Sequence, residues 1–226
     1  MIEPYYEQDG ITIYNADCRD VLPQLERVDL VLTDPPYGVS GQQNSKTAGS
    51  HKKNDYGSFV DSVEYVQTVI IPAFTASLRI ASRAILTPGN RCLTLYPMPD
   101  SFGCIYQPAS VGLQPWGRAD AQPIFYYGKF PKDSRRIPGS KCSYTLTEQP
   151  EKNGHPCPKP YSFWRRLLEH GSTEQSTVLD PFMGSGTTLR AAKDLGLKAI
   201  GIEIEKKYCD IAVERLRQRS LLPAMA

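Results

Sequence analysis

Two short stretches of this chain hold residues whose types and spacing could do chemistry. The first runs Ser176-Thr-Val-Leu-Asp-Pro-Phe-Met-Gly-Ser-Gly-Thr-Thr188: an apolar, β-branched run ends on the carboxylate of Asp180, and a turn with Gly184 and Gly186 follows. A helical run, Thr188 to Leu195, then closes at Gly196. Strand, glycine turn and helix in that order open a nucleotide-binding βαβ unit, because glycines let the backbone approach a ligand closely. The next apolar run, Lys198 to Ile204, puts Glu203 twenty-three positions after Asp180. An acidic residue about twenty positions on is where a ribose hydroxyl pair is usually gripped. The second stretch is Asp34-Pro35-Pro36-Tyr37. Its two prolines fix the backbone of a turn and remove two N–H donors.

These residues need elements to hold them. Asp29-Leu-Val-Leu-Thr33 is a continuous apolar run, as a buried parallel strand requires, and it delivers Asp34 to the carboxyl end of a sheet, where open α/β folds bind ligands. Ile11 to Tyr14 alternates as a short strand, and Asn15-Ala16-Asp17-Cys18 turns into a helical stretch through Leu25. Residues 38–60 are glycine, serine, asparagine and lysine with almost nothing apolar, a composition that predicts a mobile loop, here one that orders on substrate. From Asp61 to Ala84 the apolar spacing predicts an amphipathic helix, kinked or split at Pro72. Arg91 to Tyr96 and Pro123 to Tyr127 read as strands, whereas 97–121 is too rich in proline and glycine for elements to be placed. Helices are predicted over Ser162–His170 and Lys206–Arg219.

The pairing of D-P-P-Y with D-P-F-x-G-S-G-T resembles the S-adenosylmethionine-dependent amino-methyltransferases of DNA, which methylate N6 of adenine or N4 of cytosine. The motif order, D-P-P-Y first and the cofactor loop last, is similar to that family's beta arrangement, and the compact length to its small phage or prophage forms. The likeness covers 11–37 and 153–217 well and the middle poorly. It implies a single methyltransferase domain over 1–226 with a target-recognition region at 97–150. The implied fold is a Rossmann-like α/β sheet, mostly parallel with one antiparallel strand near Ile124–Tyr127 and helices on both faces.

The resemblance also implies roles. Asp34 and the Pro35 carbonyl would accept hydrogen bonds from the target amine, with Pro36 shaping the turn and Tyr37 stacking on a base flipped out of double-stranded DNA. S-adenosylmethionine would be held by Asp180, Pro181 and the backbone through Phe182, Gly184, Ser185, Gly186 and Thr187, with Glu203 on the ribose and Ile204 against the adenine. Asp17, beside Cys18, falls where the family places an acid near that adenine; read alone, Asp17 is equally a helix N-cap, and one side chain can serve both. His155-Pro156-Cys157-Pro158-Lys159-Pro160 resembles the family's H-P-x-x-K-P segment, so His155 and Lys159 are expected at the methionine end of the cofactor. Lys52 and Lys53 in the loop, with Lys129, Lys132, Arg135 and Arg136 in the densest basic segment, are expected on DNA phosphates.

Composition sets bounds on this. The 226 residues suffice for one sizeable α/β domain, and a net charge of only +2 gives no global basic field, so DNA contact must come from local clusters. The six cysteines hold no C-x-x-C pair and read as reduced thiols in an intracellular, cytoplasmic protein, the host's cytoplasm if phage-encoded. No metal site and no membrane span is expected. Relatives in the beta arrangement often form homodimers. Adenine N6 is favoured over cytosine N4 because a leading Asp is commoner among the adenine enzymes. Methyltransferases of RNA bases or protein glutamine are rivals that usually run their motifs in the other order. A non-enzymatic DNA-binding module should have lost at least one of Asp34, Tyr37, Asp180 and Glu203.

Overall fold

The computed structural model describes residues 2–39, 60–107, 112–114, 117–133, 142–146 and 159–218. Numbered along the chain, the strands are β1 (Tyr6–Gln8), β2 (Ile11–Asn15), β3 (Val28–Thr33), β4 (Ala81–Leu86), β5 (Ser101–Tyr106), β6 (Gly112–Gln114), β7 (Gly117–Ala119), β8 (Ala121–Tyr127), β9 (Tyr144–Thr145), β10 (Thr177–Asp180) and β11 (Lys198–Glu203). The helices are α1 (Cys18–Val21), α2 (Val63–Tyr65), α3 (Ile71–Ile80), α4 (Tyr161–Gly171), α5 (Thr187–Asp194) and α6 (Lys206–Arg217).

Among the described residues, nine strands form one sheet in the order β1-β2-β11-β10-β3-β4-β8-β5-β9, and β6 pairs with β7 apart from it. The five strands from β2 to β4 in that order are mutually parallel. β8 runs antiparallel between β4 and β5, at the position expected for such a strand, and the short β1 is antiparallel to β2. The run 97–150 therefore extends the main sheet through β5, β8 and β9.

Alternation along the parallel strands fills both faces. Leu30, Leu32, Ile85 and Val178 pack on one side with Trp164, Leu168, Leu189 and Ala212 of α4, α5 and α6. Val31, Ala84, Leu86 and Leu179 pack on the other with Val66, Ile70 and Phe74 from the α2–α3 segment. A sheet buried on both faces reads in sequence as unbroken apolar runs, and the architecture is the Rossmann-like α/β fold.

Three expectations change. The helix predicted over Asp61–Ala84 ends at Ile80, and Ala81 opens β4, because parallel pairing of Val28 with Ala81 through Thr33 with Leu86 draws that segment into the sheet. Pro72 falls in the first turn of α3, just after a π-helical turn, Val66–Ile70, in which the Ile71 N–H reaches back to the Val66 carbonyl. That widened turn accommodates a ring with no N–H to give. Arg91–Tyr96 is not a strand: it is a turn and a short 3-10 segment, Leu93–Leu95, that plugs Cys92 and Tyr96 into the core while β8 takes the place beside β4. The helical stretch through Leu25 holds only α1 and a 3-10 turn, Leu22–Gln24, started by Pro23.

Candidate active site

The sheet order turns separated sequence positions into one row. At the carboxyl ends of β2, β11, β10, β3 and β4 stand, in spatial order, Asp17, Glu203, Asp180, Asp34 and Thr87. The chain moves outward from β3 to β4 and the other way from β10 to β11, so the strand order reverses between β10 and β3. Ligands of open α/β sheets bind in the crevice at that reversal, and Asp180 and Asp34 flank it. One cleft is lined by Asp17, Cys18, Asp34 to Tyr37, Lys159, Asp180 to Ser185, Thr187, Glu203 and Ile204.

Asp34 sits in a dense polar cluster. Its Oδ1 accepts from the hydroxyls of Tyr37 and Thr87, and its Oδ2 pairs with Lys159 Nζ at 2.6 Å. Lys159 Nζ also lies 3.2 Å from the Tyr37 hydroxyl. The Tyr37 ring rests against Gly89, in the turn that follows β4. Gly89 has φ +66°, and a Cβ there would come within 2.7 Å of the ring. Gly89→Ala is therefore expected to destabilise the fold by about 1–3 kcal/mol through backbone strain and displacement of that ring. Thermal unfolding measures this, and an unchanged midpoint would mean that the ring moves aside without cost. The backbone after Tyr37 is pinned by Asp61, which is 2% exposed and whose Oδ1 accepts the Gly38 N–H at 2.6 Å. Burial pushes the Asp61 carboxyl up, against the N–H groups of Gly38, Val39 and Tyr37 that favour its charge.

Asp180 is wholly structured by its neighbours. Thr33 donates to Oδ1 at 2.7 Å, the Phe182 N–H reaches the same oxygen at 3.2 Å, and Thr188 donates to Oδ2 at 2.5 Å. The Trp164 indole donates in turn to Thr188 Oγ1 at 2.7 Å, which ties α4 to the loop. Burial raises Asp180 to about 6 despite these donors. The glycine turn itself is held from behind. Gly186 has φ +76°, and a Cβ there would meet Ala212 of α6 at 2.7 Å. Arg215, buried in the same helix, donates to the Ser185 carbonyl at 2.8 Å and to Thr187 Oγ1 at 3.1 Å. Glu203 accepts the Gly184 N–H at 3.0 Å and the Glu205 N–H at 2.8 Å, and burial pushes its carboxyl up to about 7.

Asp17 is an N-cap at the rim of the cleft. It caps α1 by accepting the Arg19 N–H at 2.9 Å, and it lines the cleft. The Arg19 guanidinium holds its carboxyl below the usual carboxylate range. Cys18 is buried, and its thiol is pushed up to about 12, which makes it a wall of the cleft rather than a reactive thiolate. A carboxylate with two backbone donors and spare lone pairs (Glu203), an acid nearby (Asp17) and apolar walls at Val69, Ile70, Phe182 and Ile204 fit a nucleoside: hydroxyls on one side, a flat ring on the other.

Lys159, expected at the methionine end of the cofactor, lines the cleft and is in contact with Asp34 and Tyr37. Lys129 and Lys132 are exposed beyond β8 and do not line the cleft. Lys52, Lys53, Arg135, Arg136, His155 and the loop between Val39 and Val60 lie outside the described residues. Thr33, Thr87, Asp61, Thr188 and Trp164 were not singled out from sequence. Thr87 could have been found as the polar residue ending an apolar strand, had 81–86 been read as one.

Residues 104–214 match the model of a DNA methylase family, N6_N4_Mtase. The chain is 27% identical over 252 residues to the Type II methyltransferase M2.LlaDCHI of Lactococcus lactis subsp. cremoris, covering 96% of this chain and 93% of that protein. In structure it is similar to M1.HpyAVI, solved as a complex with SAM, with a TM-score of 0.66 at 21% identity over 92% of this chain and 100% of the other. It is also similar to the PvuII DNA methyltransferase (cytosine-N4-specific), with a TM-score of 0.65 at 13% identity over 97% of this chain and 91% of the other. Among the described residues no helix is long and apolar enough to cross a membrane.

Proposed function

We propose that this chain, a DNA amino-methyltransferase by its motifs and its relatives, transfers the methyl group of S-adenosylmethionine to the N6 amine of adenine in double-stranded DNA. The observation that carries this reading is the single cleft in which Asp34 and Tyr37 face the glycine turn, Asp180 and Glu203. When bound, the cofactor supplies a methyl on a positively charged sulfur: the amine lone pair forms the N–C bond, the C–S pair returns to sulfur, and an amine proton passes to solvent.

The chain's own residues orient and exclude. An exocyclic amine is a weak nucleophile because its lone pair is delocalised into the ring. Asp34 and the Pro35 carbonyl accept its two hydrogens and favour a pyramidal nitrogen with the lone pair aimed across the cleft. This is preorganised electrostatics, and strong base catalysis is not required. Glu203 would take the ribose hydroxyls, Asp17 and Ile204 would lie by the adenine, and Asp180 with the turn from Pro181 to Thr187 would hold the rest of the cofactor. The target amine is unreachable inside a duplex, so the base is flipped out at a cost of a few kcal/mol. Stacking on Tyr37 is worth about 1–3 kcal/mol, so phosphate contacts must supply the remainder. Lys129 and Lys132, exposed beyond β8 in the run 97–150, are proposed for that task.

Adenine rests on the leading Asp: a carboxylate is the stronger acceptor and offsets lost solvation at the amine. Digesting methylated DNA to nucleosides and weighing them tests it. N6-methyladenine is expected, and N4-methylcytosine in its place would overturn the assignment. Sedimentation velocity tests the homodimer that the motif arrangement suggests.

A further inference from the structure

We infer that Lys159 is a positioning residue of the methyl transfer, holding Asp34 and Tyr37 in the geometry that receives the target amine, and is not a ligand of the cofactor. The inference rests on the function proposed above and concerns how the same cleft works.

The count of acceptor positions on Asp34 carries it. A carboxylate oxygen accepts about two hydrogen bonds in its plane. Among the described residues, Oδ1 is filled by the hydroxyls of Tyr37 and Thr87, while Oδ2 carries only Lys159. A hydrogen of the incoming amine must therefore go to the remaining position on Oδ2, beside the ammonium. By occupying one side of Oδ2, Lys159 fixes the side from which the amine approaches. The lysine acts on the stacking residue as well. Its Nζ is 3.2 Å from the Tyr37 hydroxyl and 5.0 Å from the ring centroid. Those two distances place the ammonium off the hydroxyl edge of the ring and not over its face, so it holds the ring without lying where a base would stack. Lysine, tyrosine and aspartate thus form a closed triangle of contacts.

The triangle is tied to rigid structure. Lys159 directly precedes Pro160, the N-cap of α4, and α4 is bound to the Asp180 loop through Trp164 and Thr188. The Lys159 side chain is 19% exposed and that of Asp34 15%, so the pair is largely shielded from water and removal of either member takes away a charge that the other is paired with.

Lys159→Met and Lys159→Arg in the full chain test the inference, with kcat and KM measured on DNA and the affinity for S-adenosylmethionine measured by calorimetry without DNA. Lys159→Met is expected to lower kcat by about 100-fold, with cofactor affinity within about twofold of the parent. Lys159→Arg, which keeps the charge, is expected to recover at least about tenfold of that loss. A cofactor Kd raised about tenfold or more with kcat preserved would overturn the inference and return Lys159 to the cofactor. Should the Met variant not fold, Lys159→Gln, one bond shorter, keeps a donor without the charge and is read in the same way. If the parent chain transfers no methyl to DNA, the proposed function fails, and the calorimetric arm still decides whether Lys159 holds the cofactor.

Discussion

Asp34→Ala is expected to abolish methyl transfer, by about 10³-fold or more, while leaving the affinity for S-adenosylmethionine within about twofold. Two losses combine. The target amine loses the acceptor that draws one of its hydrogens, so its lone pair stays conjugated with the ring. The hydroxyls of Tyr37 and Thr87 and the Lys159 ammonium also lose their shared partner. Losing a carboxylate partner is costly for a shielded cation, so the tyrosine and lysine will reorganise. Cofactor binding should survive because Asp34 belongs to the β3 turn, whereas the cofactor's proposed holders lie on β10, β11, the glycine turn and the turn after β2. Asp34→Asn keeps an acceptor oxygen and the side chain's shape, and its rate should fall between parent and alanine. Radiolabelled transfer to DNA and calorimetry on the same preparation measure both quantities. Residual transfer by the alanine variant within tenfold of the parent would remove Asp34 from the chemistry.

Much of this site was legible because its parts are local. Asp180, Gly184, Gly186 and Glu203 sit within one βαβ unit, where an apolar run, a glycine turn and a second apolar run declare themselves by pattern alone. Asp34 is legible for the same reason, as the polar end of an apolar strand. The partners that tune these groups are distant in sequence: Thr87 is 53 residues from Asp34, Asp61 is 23 from Gly38, and Lys159 is 122 from Tyr37. Nothing in local spacing reports such pairs, since they exist only once β3, β4 and α4 are assembled. The misread segments have the same origin. Ala81-Ser-Arg-Ala continues a helical periodicity without a breaker, and only the ladder with β3 makes it a strand. Arg91–Tyr96 has strand-like residues, but the edge of β4 that it would need is taken by β8.

Glu203→Ala is expected to weaken S-adenosylmethionine binding by about 10- to 100-fold, the worth of hydrogen bonds to a charged acceptor, with DNA affinity nearly intact. The side chain stands at the end of β11, held by the N–H groups of Gly184 and Glu205, with lone pairs left for a hydroxyl pair. Its raised pKa adds a second, independent signature. Burial lifts the carboxyl from an ordinary 4.5 to about 7. For a group raised on folding, the stabilising contribution is fully present below the unfolded value and is lost as pH rises through the folded one. The ligand-free protein should therefore lose stability between about pH 4.5 and 7 from this residue, and Glu203→Gln should remove that part of the slope. Asp180, raised to about 6 in the same cleft, leaves its own share of the slope in the variant. Ribose hydroxyls donate to the ionised form, so cofactor affinity should move the opposite way, rising as pH rises through about 7, with a proton released on binding below it. Calorimetry in two buffers of different ionisation enthalpy reads that proton directly. An unchanged cofactor affinity in Glu203→Ala, together with the same proton release in Glu203→Gln as in the parent, would remove Glu203 from the cofactor site.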